Sequence, residues 1–129
     1  MRTCLDTNAY TALAKNESYA LSVIRQSHIV FLTFVTVAEL RAGFRLGKKS
    51  AQNEKVFQRF INSDRVQVIY PDEQTTHHYA TVFRQLRTQG TPIPINDLWI
   101  ASLVMQHDLI LYTHDTHFDH LPQLPRVQG

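Results

Sequence analysis

Met1-Arg2-Thr3-Cys4-Leu5-Asp6-Thr7-Asn8 is the stretch that decides how this chain folds. Its first five residues form a short apolar run, and the next three carry side chains that cap a helix N-terminus well. A strand that hands over directly to a helix is the unit of a parallel α/β sheet. In such a sheet the carboxyl ends of the strands share one edge, and ligands bind there where strand order reverses. Asp6 stands at that edge, either as a simple cap or as part of a site.

The same alternation continues outward. Two helices are expected over about 8–14 and 17–27, separated by Asn16, and the β-branched run His28–Thr33 reads as a buried strand. Thr36 followed three residues on by Glu39 matches a capping box for a helix over 37–46 that stops near Gly47. A helix over 50–62 carries Val56, Phe57, Phe60 and Ile61 on one face. Val66–Tyr70 is a strand ended by Pro71, and a long helix over 73–89 precedes Gly90. Pro92 and Pro94 fix an extended loop before a helix over 97–107. Leu109–Thr113 forms another strand, with a last short one near 125–127. No repeat or linker interrupts the pattern, so residues 1–129 are read as one domain. The fold class is a three-layer α/β/α domain with a mainly parallel sheet of four to five strands.

The bulk properties agree. Hydrophobic residues make up 43% and charged residues 19%, as in a globular domain with a full core. No apolar run approaches the roughly 20 residues that cross a bilayer. The opening is too short for a secretory signal, and Cys4 has no partner for a disulfide. A cytoplasmic protein with no membrane contact is expected. The net charge of +2 hides a cluster: Arg41, Arg45, Lys48, Lys49, Lys55 and Arg59 are opposed locally only by Glu54. That segment suits a polyanion, or is a solvated helical face.

Four carboxylates stand at predicted junctions: Asp6, Glu39, Asp97 and Asp115. Each has a structural alternative. Asp6 and Asp115 can cap, Asp97 can gain about 0.3–1 kcal/mol from a helix dipole, and Glu39 can complete its capping box. Converging on one edge, they would repel unless a divalent cation neutralised them. Mg²⁺ and Mn²⁺ take hard oxygen ligands, and one or two such ions activate water for attack at phosphorus. Thr7, Asn8, Asn96 and Thr113 flank the acids as hydrogen-bond donors to the ligands.

Other chemistries fit less well. A covalent aspartyl phosphatase wants a second aspartate where Asn8 stands and a downstream lysine, but the last lysine is Lys55. His114, His117 and His120 lie beside Asp115 and Asp119, yet their three-residue spacing after a strand is unlike a helix-borne zinc site. They are read as surface or RNA-contacting side chains.

In order along the chain, Leu5-Asp6-Thr7-Asn8, Ala38-Glu39-Leu40-Arg41-Ala42-Gly43, Pro92-Ile93-Pro94-Ile95-Asn96-Asp97-Leu98-Trp99-Ile100-Ala101 and Thr113-His114-Asp115-Thr116-His117-Phe118 resemble the motifs of the PIN-domain ribonucleases, and most of all those of VapC-type toxins. The chain departs from the family's usual ending by placing Asp119 and His120 where a basic residue is common. The resemblance implies an endoribonuclease in which Asp6, Asp97 and Asp115 bind Mg²⁺ or Mn²⁺, Glu39 completes the acidic pocket, and a metal-activated water cleaves RNA. The implied substrate is single-stranded or loop RNA such as tRNA. The implied partners are a small cognate antitoxin and a second copy of the chain, with the 41–61 segment as the candidate contact surface. Two alternatives share the fold: a non-catalytic PIN-like RNA- or protein-binding module, and a housekeeping PIN nuclease without an antitoxin.

Overall fold

A computed structural model of the chain describes residues 1–128. The elements run β1 (Arg2–Leu5), α1 (Thr7–Ala14), α2 (Ser18–Arg25), β2 (Ile29–Thr33), α3 (Phe34–Leu46), α4 (Ser50–Ile61), β3 (Val66–Ile69), α5 (Glu73–Gln89), α6 (Ile95–Gln106), β4 (Ile110–Tyr112) and β5 (Arg126–Val127). A single 3₁₀ turn, Thr116–His120, lies between β4 and β5. The strands form one five-stranded sheet in the order β3-β2-β1-β4-β5, parallel at every pairing. From β1 the chain builds outward through β2 to β3, then returns to the other side of β1 for β4 and β5. The order therefore reverses between β1 and β4, and a ligand crevice is expected at their carboxyl ends.

Strand alternation sends side chains to two cores. On one face, Cys4, Phe31 and Leu111 pack with Val82 and Leu86 of α5 and with Leu98, Ala101 and Val104 of α6. On the other, Leu5, Val30, Leu32 and Tyr112 pack with Tyr10, Val23, Leu40 and Phe57 of the first four helices. The three expected layers are present. Burial pushes the Cys4 thiol up to about 12, with the neighbouring Asp6 charge adding to the effect, so it is an inert core group.

Helix boundaries follow capping chemistry. Asp72 caps α5 and exchanges hydrogen bonds with Thr75 in a full capping box, and Gly90 ends that helix in the left-handed region at φ 72°. The expected box at Thr36 and Glu39 does not form. Thr33 caps α3 instead, accepting from the Thr36 N–H at 3.3 Å, so the helix starts at Phe34 and Glu39 lies inside it. Two threonines three residues apart offer the same cap chemistry, and the first is taken because β2 runs straight into the helix. Likewise α6 begins at Ile95, since Pro94 in extended geometry is the cap and Ile95 and Asn96 already turn helically. Phe57 is fully buried and meets Tyr10 edge-to-face at 5.3 Å. Phe60 and Ile61 pack against the same core, so the aromatic face of α4 belongs to the interior.

Candidate active site

Asp6 follows β1 directly and is 6% exposed. Both readings of it hold at once. Its Oδ1 accepts the Ala9 N–H at 2.9 Å, which caps α1, and its Oδ2 accepts the Thr113 hydroxyl. Thr113, fully buried just past β4, also accepts the Asp115 N–H at 2.9 Å. One hydroxyl thus ties together the ends of the two strands between which the order reverses.

Asp97 sits in the first turn of α6, half buried, and Asp115 caps the 3₁₀ turn by accepting the His117 N–H at 2.8 Å. Glu39 projects from α3. Its Oε1 accepts the Thr7 hydroxyl at 2.8 Å, and its Oε2 accepts from Asn96 Nδ2 at 3.3 Å. Each bracing residue stands beside one acid in sequence and donates to another in space. Thr7 follows Asp6 and Asn96 precedes Asp97, yet both serve Glu39. Thr113 lies near Asp115 and donates to Asp6. Asn8 is exposed and makes no hydrogen bond to these acids among the described residues.

The four acids share one electrostatic field. Burial pushes the Asp6 carboxyl above the usual carboxylate range; the bonds from Thr113 and Ala9 oppose this and the Asp115 charge adds to it. Asp97 is also raised, first by burial, with the charges of Asp115 and Glu39 adding to the effect and His117 opposing it. Asp115 thus acts on both Asp6 and Asp97, and Glu39 acts on Asp97.

One member was not foreseen. His117, read from sequence as a surface or RNA-contacting residue, places Nδ1 2.9 Å from Asp97 Oδ2 and 3.0 Å from Asp115 Oδ1. Its imidazole is held above the ordinary histidine value, chiefly by the hydrogen bond with Asp97. The available signal was its position two residues after a capping aspartate, which turns the chain back on itself. One donor atom from each of Asp97, Asp115 and His117 lies within 4.8 Å of the others, whereas Asp6 stands outside that trio. Carboxylate oxygens in reach of one point, with further acids around them, are a donor set that fits a small divalent cation.

A parallel sheet with an acidic edge at its reversal point is the frame of a ligand-binding α/β domain, and comparison with known proteins makes the class specific. The PIN domain model matches residues 3–124, and the chain belongs to that family. It is similar to Ribonuclease VapC1 of Haemophilus influenzae (strain R2866), 33% identical over 115 residues that span 86% of this chain and 84% of that protein. It is also similar to Toxin FitB of Neisseria gonorrhoeae, 33% identical over 67% of this chain and 66% of that protein. Among solved structures, VapBC2 from Rickettsia felis, bound to a DNA fragment from its promoter, matches with a TM-score of 0.85 at 25% identity, covering 99% of this chain and 98% of that one. VapBC-1 from nontypeable Haemophilus influenzae matches at 0.83 and 31% identity, with the same coverage.

Proposed function

We propose that the protein is a divalent-metal-dependent endoribonuclease, the toxin of a toxin–antitoxin pair. The observation that carries this reading is the hydrogen-bond network that links Asp6, Glu39, Asp97 and Asp115 through Thr113, Thr7, Asn96 and His117 at the reversal point of a PIN-domain sheet. Mg²⁺ or Mn²⁺ fits the oxygen-rich donor set, with Asp97 and Asp115 as direct ligands and Asp6 adding a third carboxylate from the end of β1. When bound, the cation supplies a nucleophilic water at neutral pH and offsets charge on the scissile phosphate.

The chain's own residues do the rest. Thr113 holds Asp6 and the Asp115 backbone in register, and Thr7 and Asn96 fix Glu39. The RNA backbone is drawn in by exposed Arg45, Lys48, Lys49, Lys55 and Arg59, while Arg41 is engaged by Glu54 at 3.1 Å. The similarity to VapBC complexes supports a small cognate antitoxin as partner, and we extend the reading to a homodimer acting in the cytoplasm. No helix among the described residues is long and apolar enough to cross a membrane.

The test is cleavage of labelled structured RNA, tRNA included, by the purified chain. Wild type with Mg²⁺ or Mn²⁺ should yield 3′-hydroxyl and 5′-phosphate ends, and chelation should stop the reaction. Asp97→Asn should lower turnover by orders of magnitude with the fold intact. Near-native cleavage by Asp97→Asn, or no cleavage by wild type with any divalent ion, would overturn the reading in favour of a non-catalytic module.

A further inference from the structure

We propose that His117 is a nitrogen ligand of the divalent cation, forming with Asp97 and Asp115 a mixed nitrogen–oxygen face that favours Mn²⁺ over Mg²⁺. The proposal deepens the metal-dependent reading above and rests on it.

The local chain is built to hold this ring in place. Asp115 caps the 3₁₀ turn through the His117 N–H, and fully buried Phe118 anchors the next residue in the core. The His117 side chain is nonetheless 48% exposed, so packing does not force it inward. It turns onto the two acids all the same. Of the three histidines in this segment, His117 alone has a ring nitrogen bonded to a site carboxylate among the described residues. The His114 ring lies tilted against Tyr112, at 5.4 Å between ring centroids.

The spacing fits neighbouring positions of a coordination polyhedron as well as a shared proton. Adjacent ligands of an octahedral ion with bonds of about 2.1 Å stand roughly 3.0 Å apart. The separations of Nδ1 from Asp97 Oδ2 and from Asp115 Oδ1 are 2.9 and 3.0 Å, and a donor atom from each of the three residues lies within 4.8 Å of the others. An ion seated on this face would displace the proton that Nδ1 shares with the two carboxylates, and the freed imidazole nitrogen and the two acids then offer three donors. Two oxygens and an imidazole nitrogen suit Mn²⁺, which accepts nitrogen more readily than Mg²⁺, a cation that holds to oxygen and keeps its waters.

The test reads the ion rather than the reaction. The full chain is stripped with chelator and titrated with Mn²⁺, and the bound ion is examined by pulsed electron paramagnetic resonance. Wild type should show nitrogen hyperfine coupling from a directly bound imidazole. His117→Ala and His117→Asn should lose the coupling, and His114→Ala should keep it. Loss of the ligand should weaken Mn²⁺ binding by at least about tenfold, the scale at which even groups supporting a ligand act, and should affect Mg²⁺ binding, followed by competition, much less. Circular dichroism checks that the variants fold. Bound Mn²⁺ without nitrogen coupling, or coupling that survives both His117 substitutions, would overturn the proposal. If Asp97→Asn still abolishes binding in that case, the metal-dependent reading stands and His117 alone is excluded. If wild type binds no divalent ion, both readings fall.

Discussion

Thr113→Val is the sharpest probe of how this site is built, because it keeps shape and removes one hydroxyl. That hydroxyl donates to Asp6 Oδ2 and accepts the Asp115 N–H, and its residue is fully buried. Losing a bond to a charged group costs about 1.5–3 kcal/mol and orphaning the Asp115 N–H costs about 1 more, while the added methyl returns about 0.8 kcal/mol, leaving a net loss of about 2–3 kcal/mol. At roughly 4 °C per kcal/mol for a domain of this size, the melting temperature should fall by about 8–12 °C. The measurement is urea and thermal unfolding in chelator near neutral pH, beside Thr113→Ser, which retains both bonds and should lose only about 1 kcal/mol of methyl burial. The loss in Thr113→Val should shrink at acidic pH, where Asp6 takes up a proton and no longer needs a charge-stabilising donor. If Thr113→Val lies within about 0.5 kcal/mol of wild type, or Thr113→Ser is the less stable of the two, the tie between β1 and β4 is not what holds Asp6.

Two further outcomes are expected. Asp6 and Asp97 have folded carboxyls raised above the unfolded value, so in the window just above the usual carboxylate range the native state binds more protons than the unfolded chain. Metal-free stability therefore falls as pH rises through that window. Asp6→Asn keeps a good cap for α1 and cannot ionise, so its stability relative to wild type in chelator should climb with pH; a difference that is flat or falls with pH would contradict burial as the cause. Phe57→Ala opens a cavity beneath Tyr10 and Phe44 and should cost about 3–5 kcal/mol in denaturant unfolding; a cost near zero would return the aromatic face of α4 to a partner surface.

Much of the architecture was legible because strands and helices here obey their own periods. β1, β2 and β4 are short apolar runs, and α5 carries its apolar stripe between a clear cap and a clear stop. Boundaries failed where two residues offered equal chemistry. Thr33 and Thr36 are both able caps, and taking the second gives Glu39 a capping-box explanation. In the fold Glu39 is no cap; it is held from two sides by Thr7 and Asn96. His117 was hidden for a different reason. Its role depends on an Asx-type turn at Asp115 and on α6 arriving from across the sheet. A three-residue histidine spacing encodes neither.

That cross-bracing also explains how the chain folds with so much like charge in one place. Three of the four acids are met by donors from a distant part of the sequence: Asp6 by Thr113, Glu39 by Thr7 and Asn96, Asp97 by His117; Asp115 is met by His117, two residues on. Among the described residues no buried side-chain polar atom is left without a partner. The donors cannot engage until β1, β4, α3 and α6 are assembled, so the repulsion is relieved only in the native arrangement, which favours one topology over its competitors. The relief is incomplete, since burial and mutual charge still hold Asp6 and Asp97 above the usual carboxylate range. A site left with that residual cost binds a divalent cation more tightly than one whose charges were already satisfied, because the ion removes a penalty as well as adding bonds. On the proposed metal-dependent reading, affinity for the ion is thus set partly by how far the threonine and asparagine braces stop short of full neutralisation.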